Sequence, residues 1–99
     1  MKPLRIAPPA SAEFTGAVRW YEDKRVGLGG EFYDAVLHTV SVVREHPELG
    51  VVVDGPQPHR QFLIDGFPYK LIYRDRADDL YIVAIAHASR RPGYWTQRR

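Results

Sequence analysis

Leu80-Tyr81-Ile82-Val83-Ala84-Ile85-Ala86-His87 decides the fold of this 99-residue chain. Its apolar run, Leu80 to Ala86, is far short of the roughly 20 residues of a membrane helix. Its length and β-branched content suit a strand buried on both faces. Such a strand needs partners, and the residues before it supply them. Tyr69 to Arg74 alternates, with Tyr69, Leu71 and Tyr73 to one side and Lys70, Ile72 and Arg74 to the other. The polar stretch Asp75 to Asp79 turns the chain between the two. Arg60 to Ile64 reads as one strand more, and Asp65-Gly66-Phe67-Pro68 as its turn.

Further upstream the apolar period lengthens. Leu28, Phe32, Ala35, Val36, Thr39, Val40 and Val43 repeat at helical spacing until His46-Pro47, where proline ends the helix. Phe14, Ala17, Val18 and Tyr21 form the stripe of an earlier helix, for which Ser11 is the expected N-cap. Gly27-Leu28-Gly29-Gly30 reverses the chain between the two helices. Lys2 to Ala7 is expected as a first short strand closed by Pro8-Pro9. Leu49 to His59 reads as a loop in which Val51-Val52-Val53 can form a short extended piece. The expectation is one α+β domain over residues 1–99, ordered β-α-α-β-β-β. A helical hairpin packs on one face of a small curved, mainly antiparallel sheet.

Composition fits a packed domain: 44% hydrophobic, 26% charged, net charge +2. The absence of cysteine rules out a disulfide framework, a Cys-ligated zinc and a thiol nucleophile. Met1-Lys2-Pro3-Leu4-Arg5 lacks a signal peptide's apolar run, so neither secretion nor a membrane partner is expected. Charge is uneven. Residues 1–57 hold six Lys/Arg against eight Asp/Glu, and residues 58–99 hold eight against four. The last thirteen residues carry Arg90, Arg91, Arg98 and Arg99 and no acid. Such a segment is either a solvated tail or a contact for an anionic partner.

Several segments together resemble the RelE/ParE superfamily of type II toxin–antitoxin toxins, often labelled plasmid stabilisation proteins. Ala12-Glu13-Phe14 with Ala17 and Trp20-Tyr21-Glu22 is similar to that family's first helix. Gly27-Leu28-Gly29 followed by Glu31-Phe32 resembles its inter-helix turn, and Phe67-Pro68-Tyr69 with Ile72-Tyr73 its strand hairpin. Ile82 to His87, then Arg90, Pro92 and Tyr94-Trp95, resembles its characteristic ending. The resemblance implies a cytoplasmic growth-inhibiting toxin held inactive by a cognate antitoxin, without cofactor or metal, reaching operator DNA only through that antitoxin. One branch of the superfamily cleaves mRNA in the ribosomal A site, and another inhibits DNA gyrase by binding. A non-toxic member that only binds its antitoxin is a third possibility.

Metal-independent RNA cleavage needs a proton taken from a 2′-hydroxyl, a cation for the phosphorane and a proton for the leaving oxygen. Under the nuclease reading Arg60, His87, Arg90 and Tyr94 are the candidates. Arg60 resembles the family's strand arginine, and Arg90 with Tyr94 its terminal pair; Arg60 and His87 are expected along one edge of the sheet. Ribosome-dependent nucleases of the family usually place several basic residues in the helix-to-sheet loop. Here Glu48 to Pro58 has no Lys or Arg, which favours the gyrase branch or a branch of undetermined target. Each candidate also has a structural reading. His87 can be a hydrogen-bonded strand end, Arg90 can pair with Glu31 or Asp34, and Tyr94-Trp95 can stack on nucleic acid or lid the core. Trp20-Tyr21 is expected to pack inside. His38 and His46 lie two helical turns apart, too far for a shared metal. Arg74, Arg76 and Arg98 are the candidates for meeting an acidic antitoxin, which would fold on binding across the sheet and hairpin.

Overall fold

In the computed structural model, which describes residues 1–53 and 55–98, residues 80–87 form the strand on which the domain is built. The elements are β1 (Leu4–Ile6), α1 (Pro8–Lys24), α2 (Leu28–Glu45), a 3-10 turn (Pro47–Leu49), β2 (Val51–Val53), β3 (His59–Leu63), β4 (Tyr69–Asp75) and β5 (Leu80–His87). The sheet order is β1-β5-β4-β3-β2. All pairings are antiparallel except β1 with β5, which runs parallel from Leu4↔Leu80 to Ile6↔Ile82. β5 is buried along its whole length except at His87, as its composition requires. Its register with β4 slips between Ile72↔Ala84 and Tyr73↔Ile82, leaving Val83 as the extra residue. The α+β architecture matches the sequence reading, with one strand more: Val51–Val53 pairs with His59–Gln61 as a true edge strand.

Two helix boundaries differ from expectation. Pro8 and Pro9 open α1, with Ala7 as its N-cap, so Ser11 lies inside the first turn. Proline at the first helical positions has no amide to satisfy there and a preset φ. At the hairpin, Gly27 alone takes the left-handed conformation, φ +92°, while Gly29 and Gly30 belong to α2. The Glu22 carboxylate accepts the amides of Gly27 and Gly29, at 3.0–3.1 Å, and so caps α2.

The helices cover one face of the sheet through an aromatic cluster of Tyr21, Phe32, Phe67 and Tyr69, with ring centroids about 5 Å apart. Tyr73, fully buried, ties the end of α2 to the sheet. Its hydroxyl donates to the Pro47 carbonyl (2.6 Å) and accepts the Gly50 amide (2.9 Å). On the opposite face lies the C-terminal segment, residues 88–98. Trp95 is 4% exposed and packs on the ring of His59 at 4.7 Å. Of the two readings of Tyr94-Trp95, the lid therefore holds for Trp95. Arg99 of the basic tail lies outside the described residues. No helix among the described residues is long and apolar enough to cross a membrane.

Candidate functional site

β1 covers β5 only as far as Ile82. Beyond that point the edge of β5 meets side chains instead of a strand. The Glu13 carboxylate on α1 accepts the Ile85 amide at 3.1 Å, and the Arg98 guanidinium donates to the Val83 carbonyl at 3.1 Å. Glu13 and Arg98 also pair with each other, at 2.9 and 3.1 Å. Tyr94 donates its hydroxyl to the same carboxylate at 2.6 Å. Burial, reinforced by that bond, pushes the Tyr94 phenol up to about 12 and keeps it a donor. The bond to Glu13 likewise raises the pKa of Arg98.

Against this clamp opens a cleft of about 740 Å³. Gly16 and Trp20 of α1 form one wall; Tyr69, His87, Arg90 and Tyr94 form the other. The Arg90 guanidinium carbon lies over the Tyr94 ring, 4.0 Å from its centre. His87 sits opposite Tyr69 in the β4–β5 ladder, its ring 5.0 Å from the phenol ring. Its Nδ1 accepts the Ser89 amide at 3.0 Å, with Ser89 Oγ at 2.7 Å. An amide can only donate, so the neutral imidazole carries its proton on Nε2. The cleft thus combines aromatic walls, one imidazole N–H and a guanidinium at its rim.

His87, Arg90 and Tyr94, three of the four nuclease candidates, therefore share one cleft. Arg60 stands apart on β3, its guanidinium donating to the carbonyls of Glu48 (3.2 Å) and Gly50 (2.8 Å) beside Tyr73. Arg90 pairs with neither Glu31 nor Asp34; Glu31 is held by Arg25 at 3.0 Å. Among the antitoxin candidates, Arg76 makes two 2.6 Å bonds to Asp79 and stacks on Tyr81. Arg98 is held by Glu13, and Arg74 has its Nε buried without a hydrogen-bond partner.

Sequence reasoning missed Glu13, Ser89 and His59, and it misplaced Trp20. Tyr21 is buried as expected, but Trp20 is 55% exposed, with the Lys24 ammonium 4.6 Å from its ring. The available signal was the acid-free tail, because an arginine and a tyrosine folding back onto a core require an acid from elsewhere. His59 is 1% exposed, its Nδ1–H turned to the Gln57 carbonyl at 3.2 Å and its Nε2 without a partner. Burial holds its pKa below the usual 6.5, and the nearby Arg74 cation acts in the same direction.

No curated protein matches the sequence. Among solved structures, one from the chromosomal ParDE toxin–antitoxin system of P. aeruginosa superimposes with a TM-score of 0.76. The match covers 90% of this chain and 98% of that one, at 14% identity, and so speaks for a common fold. The family model for the ParE toxin of the type II toxin–antitoxin system parDE matches residues 4–92. By that match, over nearly its whole length, the chain belongs to the ParE toxin family of type II toxin–antitoxin systems.

Proposed function

We propose that this toxin acts by binding, with DNA gyrase as its target, and that a cognate antitoxin neutralises it. The observation that carries the reading is the engagement of the groups RNA cleavage would need. Arg60 is turned onto the backbone carbonyls of Glu48 and Gly50, in and just after the 3-10 turn, and Tyr94 is a half-buried donor with its pKa at about 12. Exposed apolar side chains on β1 and α2, Leu4, Ile6, Tyr33 and Leu37, are 41–46% accessible and support docking of an antitoxin segment. Arg74, Arg76 and Arg98 remain the proposed contacts for its acids. Purified protein is expected to block supercoiling by gyrase while leaving mRNA intact in a translation extract, and added antitoxin should restore supercoiling. Unchanged supercoiling at saturating protein overturns the target.

A second reading, ribosome-dependent cleavage of mRNA, is favoured by the convergence of His87, Arg90 and Tyr94 on one cleft. It predicts mRNA ends within A-site codons. It also predicts a folded Arg90→Ala protein that cleaves about 10²–10³-fold more slowly, as on removal of an oxyanion donor.

A further inference from the structure

We propose that the cleft between α1 and the end of β5 is a binding site for a small planar aromatic carboxylate. Its ring lies against Trp20 and Tyr69, and its carboxylate meets Arg90 and the His87 Nε2–H. This goes beyond the gyrase reading: the ligand is a free small molecule, and its binding is measured on the purified protein alone, whatever the toxin's target.

A missing side chain makes the room. Gly16 stands midway along α1, where glycine costs helix stability relative to alanine. Packing gives no reason for it. A Cβ at Gly16 would meet nothing within 4 Å, whereas one at Gly29 would lie 2.6 Å from the Val18 carbonyl oxygen of the facing helix. Gly16 lines the cleft, and Ala12 and Trp20 follow it on the same face, one turn away on either side. Two small residues thus form a floor, and an indole that is 55% exposed closes one end. The other tryptophan of the domain is buried to 4%. The volume of about 740 Å³ lies within the range of small-ligand clefts, roughly 300–1,000 Å³.

Charge supplies the second argument. The cleft has one carboxylate, Glu13, and both its oxygens are taken by the Ile85 amide, the Tyr94 hydroxyl and Arg98. The charge left to a ligand is positive. Arg90 stacks on Tyr94 and makes no ion pair among the described residues, and His87 on the same wall keeps its Nε2–H free. Arg90 also borders a smaller cleft of about 90 Å³, whose basic rim carries Lys70 and Arg91, again without ion pairs among the described residues. Such a rim draws a small anion, and a guanidinium matches the two oxygens of a carboxylate. Aromatic walls and a free cation together call for a ligand that is flat at one end and anionic at the other.

A peptide strand is the other occupant such a cleft invites, and the edge of β5 argues against it. Strand addition needs outward-facing backbone groups. Here the Ile85 amide and the Val83 carbonyl are already taken by Glu13 and Arg98. An added strand would first have to break that ion pair, whereas a small molecule leaves it whole.

The test is a proton–nitrogen correlation NMR titration of the full chain with naphthoate. Saturable binding is expected with a dissociation constant of about 0.1–1 mM, in keeping with roughly thirteen non-hydrogen atoms. Shifts should centre on the Gly16 and Ser89 amides and the Trp20 indole N–H, and leave the Trp95 indole in place. Naphthamide, the neutral isostere, should bind about tenfold more weakly, and Arg90→Gln should bring naphthoate down to the level of the amide. Gly16→Leu fills the floor and should weaken binding at least tenfold, with a thermal midpoint no lower than the parent's. Gly30→Leu makes the same change on α2, where a Cβ is equally free, and should bind fully. No saturable binding, equal binding of naphthamide, full binding by Gly16→Leu, or shifts centred elsewhere overturn the proposal. So does a short acidic peptide that displaces naphthoate at equal concentration, for the cleft is then a protein groove. None of these outcomes touches the gyrase reading, which supercoiling decides.

Discussion

One carboxylate does most to shape the site. Glu13 holds a strand amide, a tyrosine hydroxyl and an arginine at once, so removing its charge leaves Arg98 buried without its counter-ion. Glu13→Gln is therefore expected to cost about 2–3 kcal/mol, the scale of charged hydrogen bonds. For a domain of this size that lowers the thermal midpoint by about 10 °C or more. A spectrophotometric titration follows the change at the site. Burial is the larger cause of the raised Tyr94 phenol. In a still-packed Glu13→Gln protein its pKa should therefore fall from about 12 and yet stay above the usual 10, whereas a strap that has come loose would return it to 10. His59 gives a second residue-scale prediction. The unfolded chain protonates His59 near pH 6.5, whereas the buried ring takes its proton only at lower pH. Its contribution is thus complete above pH 6.5 and declines as pH falls below it, by at most about 1.4 kcal/mol per unit. Urea midpoints between pH 7.5 and 5 should drop in the parent protein and less in His59→Gln; parallel curves would remove His59 as the cause. Neither residue was legible in advance. Glu13 lies off the apolar stripe of α1, and its partners are 72–85 residues away, beyond the reach of any local pattern.

At the scale of elements the sequence was far more informative, because period and punctuation are local. The run at β5, the alternation of β4 and the stripe of α2 all lie where their spacing places them. The start of α1 and the strand β2 were harder for definite reasons. Pro8-Pro9 can close a strand or open a helix, and only the pairing of β1 with β5 decides between them. Val51–Val53 becomes a strand because β3 offers an edge, which no property of three valines reveals. The glycines after α1 carry a prediction of opposite signs at adjacent positions. A Cβ on Gly29 would lie 2.6 Å from the Val18 carbonyl oxygen of the facing helix. Backbone cannot yield there as a side chain can, so Gly29→Ala should destabilise by about 1–3 kcal/mol. At Gly30 a Cβ meets nothing within 4 Å, and alanine should stabilise the helix by about 0.5–1 kcal/mol. Calorimetric midpoints of the two variants on opposite sides of the parent would establish that helix approach, not glycine content, sets this turn. Two shifts of the same sign would refute it.

The whole molecule is a sheet sandwiched between a helical hairpin and a C-terminal strap, and the strap gives this small domain its second covered face. Buried polar contacts hold it at one side, through Glu13, Tyr94 and Arg98; an aromatic contact holds it at the other, where Trp95 seats on His59. A 99-residue chain has about 5–15 kcal/mol of net stability. Truncating a buried tryptophan typically costs about 3–5 kcal/mol, because neighbours close the cavity only in part. Trp95→Ala should therefore consume a fifth or more of the total, and it should do so cooperatively, since residues of β3, β4 and β5 all lie against the strap. In urea monitored by far-UV circular dichroism, one transition shifted to a lower midpoint is expected. A melt in two steps, with the helices surviving the strap, would show that the second face folds independently. Trp95→Phe, which keeps an aromatic plate over His59, should recover much of the loss. The same comparison guards the functional tests. Trp95→Ala should weaken any activity through lost stability, whereas Arg91→Ala, exposed and without an ion pair, should keep the parent's midpoint. Any loss of activity in Arg91→Ala is then a loss of contact with a partner. If instead Arg91→Ala melts as early as Trp95→Ala, the basic rim belongs to the fold, and its charge no longer argues for an anionic ligand.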